Sequence, residues 1–401
     1  MNEKNRLPKI LIACEARIPS VELGAIMPIS ELQKQGRCLY RYKDQAFLSF
    51  DDIAWCDILL IVRGSSARDV MAAERAKNLN RLVLGYWDDD FFTIPRCYDA
   101  LYTYYTSSQV RENINALFKL SDAFFSHNQK LAAKLSRLHG TEAIFMPGAF
   151  WPEDFTPSIT GSNTVPIAGF GGSIVHTAII NSLLGPALCA VASSGFNFRL
   201  HVIGPKPDFL DRLQIDTVYT PAIANYYEYL AFAANLHWDI GLAPQIDCEF
   251  TSYKYHNKML EYAHIGCAGI YSKLEPYTSV IEDGVTGLLV ENEVDAWKEA
   301  ILSLLTNPEL RMRIARNARE YVQSHHNKKV VTEQYAAALG PFLAYRAPRI
   351  GKTHIIKQKP SWVLKQPYNR LVAYRQAHGM RGFILHAPKY LLSRIYRKIR
   401  H

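Results

Sequence analysis

No stretch of the chain approaches the ~18 consecutive apolar residues that a membrane span requires, so no spanning helix is expected. Cysteine is sparse and scattered, at Cys14, Cys38, Cys56, Cys97, Cys189, Cys248 and Cys267, with no Cys-x2-Cys pair to build a zinc site or a redox motif. An odd set of this kind fits a reducing cytoplasm. Neither Gly-x-Gly-x-x-Gly nor a Walker-type Gly-Lys-Ser/Thr occurs, which argues against a P-loop nucleotide hydrolase. Met1 to Pro8 is polar and Ile10 to Ala13 is only a short apolar run, so no signal peptide is expected. Short-period repeats and low-complexity blocks are missing too. The sharpest absence is of acid. From Arg346 to His401 there are 14 Lys or Arg and no Asp or Glu, whereas the other 345 residues carry 32 basic against 37 acidic side chains. The excess positive charge therefore belongs to the tail alone.

What is present reads as α/β. At 401 residues the chain exceeds one ordinary core, and roughly 150 residues per domain suggests two or three units. Residues 9–14, 57–62, 82–87, 122–126 and 143–146 are apolar strands, alternating with helical patterns at 26–35, 67–77 and 131–138. Residues 151–164, without periodicity, read as a linker. A second alternating series follows, with strands at 165–169, 198–203, 239–243 and 268–272 and helices at 178–193, 226–234, 255–264, 294–305 and 308–324. Asn307-Pro308 supplies a cap and a first-turn proline. Two doubly wound halves are the simplest reading.

The stretch from Asp239 to Val290 is the richest in candidate chemistry. Lys254, Lys258 and Glu261 lie three and four residues apart, so on one helix they would share an edge where cations neutralise a diphosphate and a carboxylate accepts from ribose hydroxyls. The same spacing also suits a solvated helix face. Gly171-Gly172-Ser173 follows a strand and precedes a helix, a place where backbone amides cradle phosphate, although a bare tight turn accounts for it as well. Asp88-Asp89-Asp90 at a strand end reads as a metal site, a cleft contact or a solvated turn. His127 and His176 would each face the cleft and bond a substrate hydroxyl or phosphate, or else be structural. Neither belongs to a hydrolase-type Ser/His/Asp pattern.

Taken in order, these landmarks resemble the donor-binding domain of retaining GT-B glycosyltransferases of the large family with bacterial mannosyl- and glucosyltransferases. The resemblance runs from Val165 to Asn327. It rests on the Gly171-Gly172-Ser173 loop, Tyr226-x2-Tyr229, Asp239-Ile-Gly-Leu-Ala-Pro244, Phe250-x3-Lys254-x3-Lys258-x2-Glu261, Asp283-Gly284-x2-Gly287 and the Asn307-Pro308 helix. Arg63 and Trp87-Asp-Asp-Asp90 resemble a subgroup's acceptor domain. The resemblance implies two Rossmann-like domains facing a cleft: 1–155 for the acceptor, 156–329 for the nucleotide-sugar donor, 330–345 as a helix crossing back, and 346–401 as a basic extension. It implies sugar transfer with retention to a lipid-linked or surface glycan acceptor, with no cofactor and no metal. Catalysis would fall to Lys258, Glu261 and His127, and donor binding to Gly171, Gly172, Ser173, His176, Lys254, Lys258 and Glu261.

Two departures stand out. The family's Glu-x7-Glu has Tyr253 in place of its first glutamate, and its Arg/Lys pair after the glycine loop is missing. A module that binds a glycan or partner without catalysis, and a GT-B epimerase or phosphorylase, therefore remain alternatives. In the tail, Trp362, Tyr368, Tyr374, Phe383, Tyr390 and Tyr396 interleave with cations, and 389–400 has a rough apolar face. Such segments bind anionic membrane surfaces, which would place the protein on the inner face of the cell membrane; nucleic acid is the less favoured partner.

Overall fold

The computed structural model describes residues 6–348 apart from Ala16 and 151–162. Most of the expected linker and nearly all of the basic tail, including the amphipathic run 389–400, lie outside the described residues.

Two parallel sheets are formed, each of six strands. The first contains β1 (Lys9–Cys14), β2 (Leu39–Asp44), β3 (Ile58–Val62), β4 (Leu82–Tyr86), β5 (Ala123–Ser126) and β6 (Ala143–Phe145), in the order β2-β1-β3-β4-β5-β6. The second contains β7 (Ile167–Gly171), β8 (Arg199–Ile203), β9 (Asp216–Thr220), β10 (Ile240–Ala243), β11 (Ala268–Ser272) and β12 (Leu288–Val290), in the order β12-β11-β10-β7-β8-β9. Central strands such as Ile58-Leu-Leu-Ile-Val62 are buried at every residue, as a sheet covered by helices on both faces requires. The strand order reverses between β1 and β3, and again between β7 and β10. A doubly wound sheet opens its ligand crevice at the carboxyl ends of such strands.

The edge strands β2, β9 and β12 are additions to the sequence reading. β2 and β9 have no fully buried residue, so they lack the apolar run that marks a central strand. Helices Asp99–Tyr105 and Ser108–Leu120 are additions as well.

In each unit the helix after the first strand contains a π turn, at Glu22–Ile26 and at Ile180–Leu184, and in each a proline follows, Pro28 and Pro186. Proline has no N–H to return to the carbonyl four residues earlier. For Pro28 that carbonyl belongs to Gly24. Tyr335 supplies the missing donor, its hydroxyl lying 3.2 Å from Gly24 O at a buried contact. Tyr335 comes from the helix Lys328–Leu343, which leaves the second unit and packs on the first against Met27–Lys34. Its buried Val331, Tyr335 and Leu339 join one apolar cluster that runs from Ile10 and Leu60 to Met259 and Tyr262. The two sheets therefore share a core.

Tyr335→Phe should leave Gly24 O without a donor in a dry site and lower stability by about 1–3 kcal/mol. Tyr335→Ala should cost about 3–5 kcal/mol. Thermal unfolding followed by circular dichroism checks both, and a neutral Phe variant would remove the hydroxyl from this role.

Candidate active site

The carboxyl ends of the two sheets bound a cleft of about 240 Å³, lined by Arg63, Asp88, Asp89, Tyr98, His127 and Ser173 among others, with Lys254 and Tyr255 on its far wall. His127, Ser173 and Lys254 meet there. Lys258 and Glu261 form an adjoining cluster.

Glu261 sits on the helix Asn257–Ile265 and is 4% exposed. A carboxylate out of water needs a cation and donors. Lys258 Nζ lies 2.5 Å from its Oε2, and the Tyr229 and Tyr226 hydroxyls donate to Oε2 at 3.1 Å and Oε1 at 3.4 Å. Both tyrosines are on the helix Tyr226–Asn235, capped by the Asn225 side chain. Burial, with the Glu261 carboxylate beside them, pushes both phenols well above their ordinary range, so they remain donors. The glycine loop makes room for this arrangement: a Cβ at Gly171 would fall 2.4 Å from Tyr229 Oη. Sequence spacing named these tyrosines as landmarks without revealing that they hold Glu261. Their i, i+3 spacing was the available signal.

Lys254 corrects the sequence reading. The helix starts at Asn257, not at 255, so Lys254 is off it, in the turn after the short helix Glu249–Ser252. Tyr255 shows why the chain turns here. Its hydroxyl accepts from Gly148 N at 3.0 Å, which draws its ring into the interdomain contact. Lys254 Nζ pairs across the cleft with Asp89 at 3.3 Å and lies over the Phe250 ring.

The glycine loop differs in detail too. Gly172 N–H continues the sheet ladder to Ile203 O at 3.0 Å, and His176 Nδ1 lies 3.2 Å from both the amide nitrogen and the carbonyl oxygen of Ser173. The Gly172 amide is thus engaged within the chain rather than open to a phosphate. Enclosure, followed by the nearby Lys258 and Lys254 cations, takes the His176 pKa down to about 3. The neutral ring carries one donor and one acceptor nitrogen at the loop.

On the facing wall the three aspartates diverge. Arg63, at φ 51°, forks onto Asp88 at 2.5 and 2.6 Å and reaches Asp89 at 2.9 Å. Asp90, fully buried, pairs with Lys134 at 2.5 Å. Among the described residues no group of three or more His, Cys, Asp or Glu is placed to hold a metal ion. His127 directly follows β5, with Nδ1 2.6 Å from Met146 O. Since a carbonyl only accepts, the proton is on Nδ1, and Nε2, buried and without a partner, keeps its lone pair. Burial lowers the pKa of His127. Gly24 makes this placement possible, because a Cβ there would lie 2.1 Å from Nε2.

Residues 258–321, which include Lys258 and Glu261, match the family described as Glycosyl transferases group 1. A search of curated proteins returns no match. Among solved structures the chain is similar to a glycosyltransferase from Rickettsia africae, with a TM-score of 0.57 at 14% identity over 84% of this chain and 99% of that one. It is similar also to HepE from Anabaena in complex with UDP and glucose, with a TM-score of 0.59 at 12% identity over 84% of this chain and 100% of that one. The fold is GT-B. Sucrose-phosphate synthase from Thermosynechococcus elongatus shares it, with a TM-score of 0.55 at 15% identity over 84% and 100% of the two chains. In this GT-B chain the Glycosyl transferases group 1 match begins at Lys258, within the Glu261 cluster.

The cleft of the GT-B chain is backed by histidines that burial holds neutral, with the pKa of His256 down to about 3 and of His326 to about 4. Such histidines take up protons near pH 6.5 only when the chain unfolds. Stability is thus fully present above that pH and is lost as the pH falls toward 4, by up to about 1.4 kcal/mol per pH unit for each group. Replacing His256 by Gln should flatten the dependence of melting temperature on pH between these limits. An unchanged slope would remove His256 from it.

Proposed function

We propose that the chain transfers a sugar from a nucleotide-sugar donor, with retention, to a lipid-linked or cell-surface glycan acceptor. The observation that carries this reading is the caged Glu261 beside the glycine loop, at the carboxyl ends of strands flanking the switch point of a GT-B donor sheet. Glu261 would accept from the ribose hydroxyls of the donor. Lys258 and Lys254 would neutralise the diphosphate, with the Ser173 hydroxyl and His176 at the loop, so that negative charge building on the leaving diphosphate meets cations fixed in advance. His127 Nε2, a lone pair without a partner on the cleft wall, would accept from a hydroxyl of the transferred sugar. No metal is needed in this scheme. Lys254 has to exchange Asp89 for the diphosphate, which couples donor entry to the interdomain contact. HepE is seen with UDP-glucose, and a structure of similar fold is the lipopolysaccharide outer core galactosyltransferase WaaB, with a TM-score of 0.53 at 10% identity over 83% of this chain and 99% of that one; the first favours a nucleotide-sugar donor and the second a glycan acceptor.

Tyr253 supports a second reading. At the place of the family's first glutamate its ring lies under Lys134 Nζ, 4.8 Å from the centroid, and offers no carboxylate to the donor. Binding of a nucleotide sugar without transfer would favour that module.

Calorimetry against a panel of nucleotides and nucleotide sugars tests the site. Glu261→Ala and Lys258→Ala should each weaken donor binding by at least about tenfold, the scale of one charge-assisted hydrogen bond. Wild-type affinity in both variants would refute the assignment.

The basic extension would hold the protein peripherally on the cytoplasmic face of the membrane, each engaged cation adding about 1 kcal/mol. No helix among the described residues is long and apolar enough to cross a membrane. Removing residues 349–401 should abolish flotation with anionic vesicles, and undiminished flotation would overturn the anchor. The cut follows Pro348 because Ala347 N donates to Asp57 in the folded body.

A further inference from the structure

The three consecutive aspartates on the cleft wall are occupied in different ways. Asp88 is taken by the Arg63 fork and Asp90 by Lys134, both within the first unit, whereas Asp89 keeps Oδ2 on Arg63 at 2.9 Å and turns Oδ1 to Lys254 of the donor unit at 3.3 Å. This last contact is loose. Lys134–Glu249 and Lys130–Glu275, which also join the two units, are both at 2.6 Å. Asp89 and Lys254 each line the cavity itself, with side chains 14% and 26% exposed, so an incoming anion can reach the pair.

The backbone around Lys254 is pinned. Its amide donates to Thr251 O at 3.1 Å, its carbonyl accepts from the Asn128 side chain at 3.3 Å, and the next residue is tied to Gly148 through the Tyr255 hydroxyl. Opposite, Arg63 holds Asp89 through the other carboxylate oxygen, so departure of the lysine leaves that carboxylate anchored. The movable part is the lysine stem. Its ammonium is a compact point charge on four flexible carbons, suited to turning from one anion to another. With the donor ribose at Glu261 and Lys258 beside that carboxylate, Lys254 falls to the phosphate farther from the ribose, the one that carries the sugar.

We propose that Asp89 is a positioning residue that acts through Lys254: it keeps the lysine engaged until a β-phosphate displaces it, and takes the lysine back when the diphosphate product leaves. The proposal rests on the transferase reading above. A partly exposed ion pair is weak, so a phosphate can displace the carboxylate. A nucleoside monophosphate does not extend to Lys254, and the exchange thereby separates diphosphates from monophosphates. Because Asp89 competes with the product for one cation, it also weakens product binding and hastens release, a step that limits turnover in many enzymes.

Calorimetric titration of the full chain with UDP, UMP, GDP and GMP, at constant ionic strength, tests it. Asp89→Asn, which keeps the shape and removes the charge, should tighten the diphosphate by about two- to fivefold, the range a partly exposed ion pair spans, and leave the monophosphate unchanged. Asp89→Ser serves if the first variant fails to fold. Lys254→Ala should weaken the diphosphate, and in the double variant the gain from Asp89→Asn should be lost, because the cation competed for is gone. In stopped-flow displacement the diphosphate should leave Asp89→Asn more slowly than wild-type protein. Equal or weaker diphosphate binding in Asp89→Asn would overturn the proposal, as would the same gain with the monophosphate or without Lys254. Binding of none of the four nucleotides by wild-type protein would sink the transferase reading itself, and this proposal with it.

Discussion

A helix carbonyl that proline cannot serve is met by a hydroxyl from the helix that returns to the first unit. Pro28 has no N–H for Gly24 O, and the nearest remedy comes from more than 300 residues away, in the hydroxyl of Tyr335. The same Gly24 lacks the side chain that would collide with His127 Nε2 and Tyr86 Oη. One position thus joins the returning helix, the π turn and the cleft wall. A continuous apolar cluster then extends from the first sheet to the second, so the cleft is bounded by units with a common core.

Across that cleft the charges are partnered in pairs that belong to different sheets. Lys254 meets Asp89, Lys134 meets Glu249, Lys130 meets Glu275, and Tyr227 donates to Glu22. Several of these side chains are partly exposed, where single ion pairs contribute little to stability. Their consequence is for the position of Lys254. A cation already engaged by a carboxylate is available to an incoming diphosphate only through exchange. Glu261 is the opposite case, because its lysine and tyrosines lie within the donor unit and keep it preorganised whatever the other unit does.

Much of the fold was legible in the sequence wherever burial was complete. Ile58-Leu-Leu-Ile-Val62 and Ala268-Gly-Ile-Tyr-Ser272 are buried at every residue, and an unbroken apolar run reports that. β2, Leu39-Tyr-Arg-Tyr-Lys-Asp44, has a neighbour on one side only and carries polar side chains accordingly, so the same criterion passes over it. The helix Ser108–Leu120 did display a periodic signal, with Val110, Ile114, Leu117 and Phe118 on its buried face. In the site, Lys258 and Glu261 were readable because three residues on a helix share a face. Lys254 was misread because the spacing counts only if the helix reaches it, and the turn at Tyr255 is a tertiary matter.

By itself, the sequence determined two parallel sheets, the loops at their carboxyl ends, the shared helix edge of Lys258 and Glu261 and a tail without acid. These follow from periodicity and charge, properties local to the chain. Only the tertiary structure decided that Tyr226 and Tyr229 donate to Glu261 and that Lys254 reaches Asp89. Each of these depends on which side chain occupies a hydrogen-bonding position first, and that competition exists only after distant segments have been brought together.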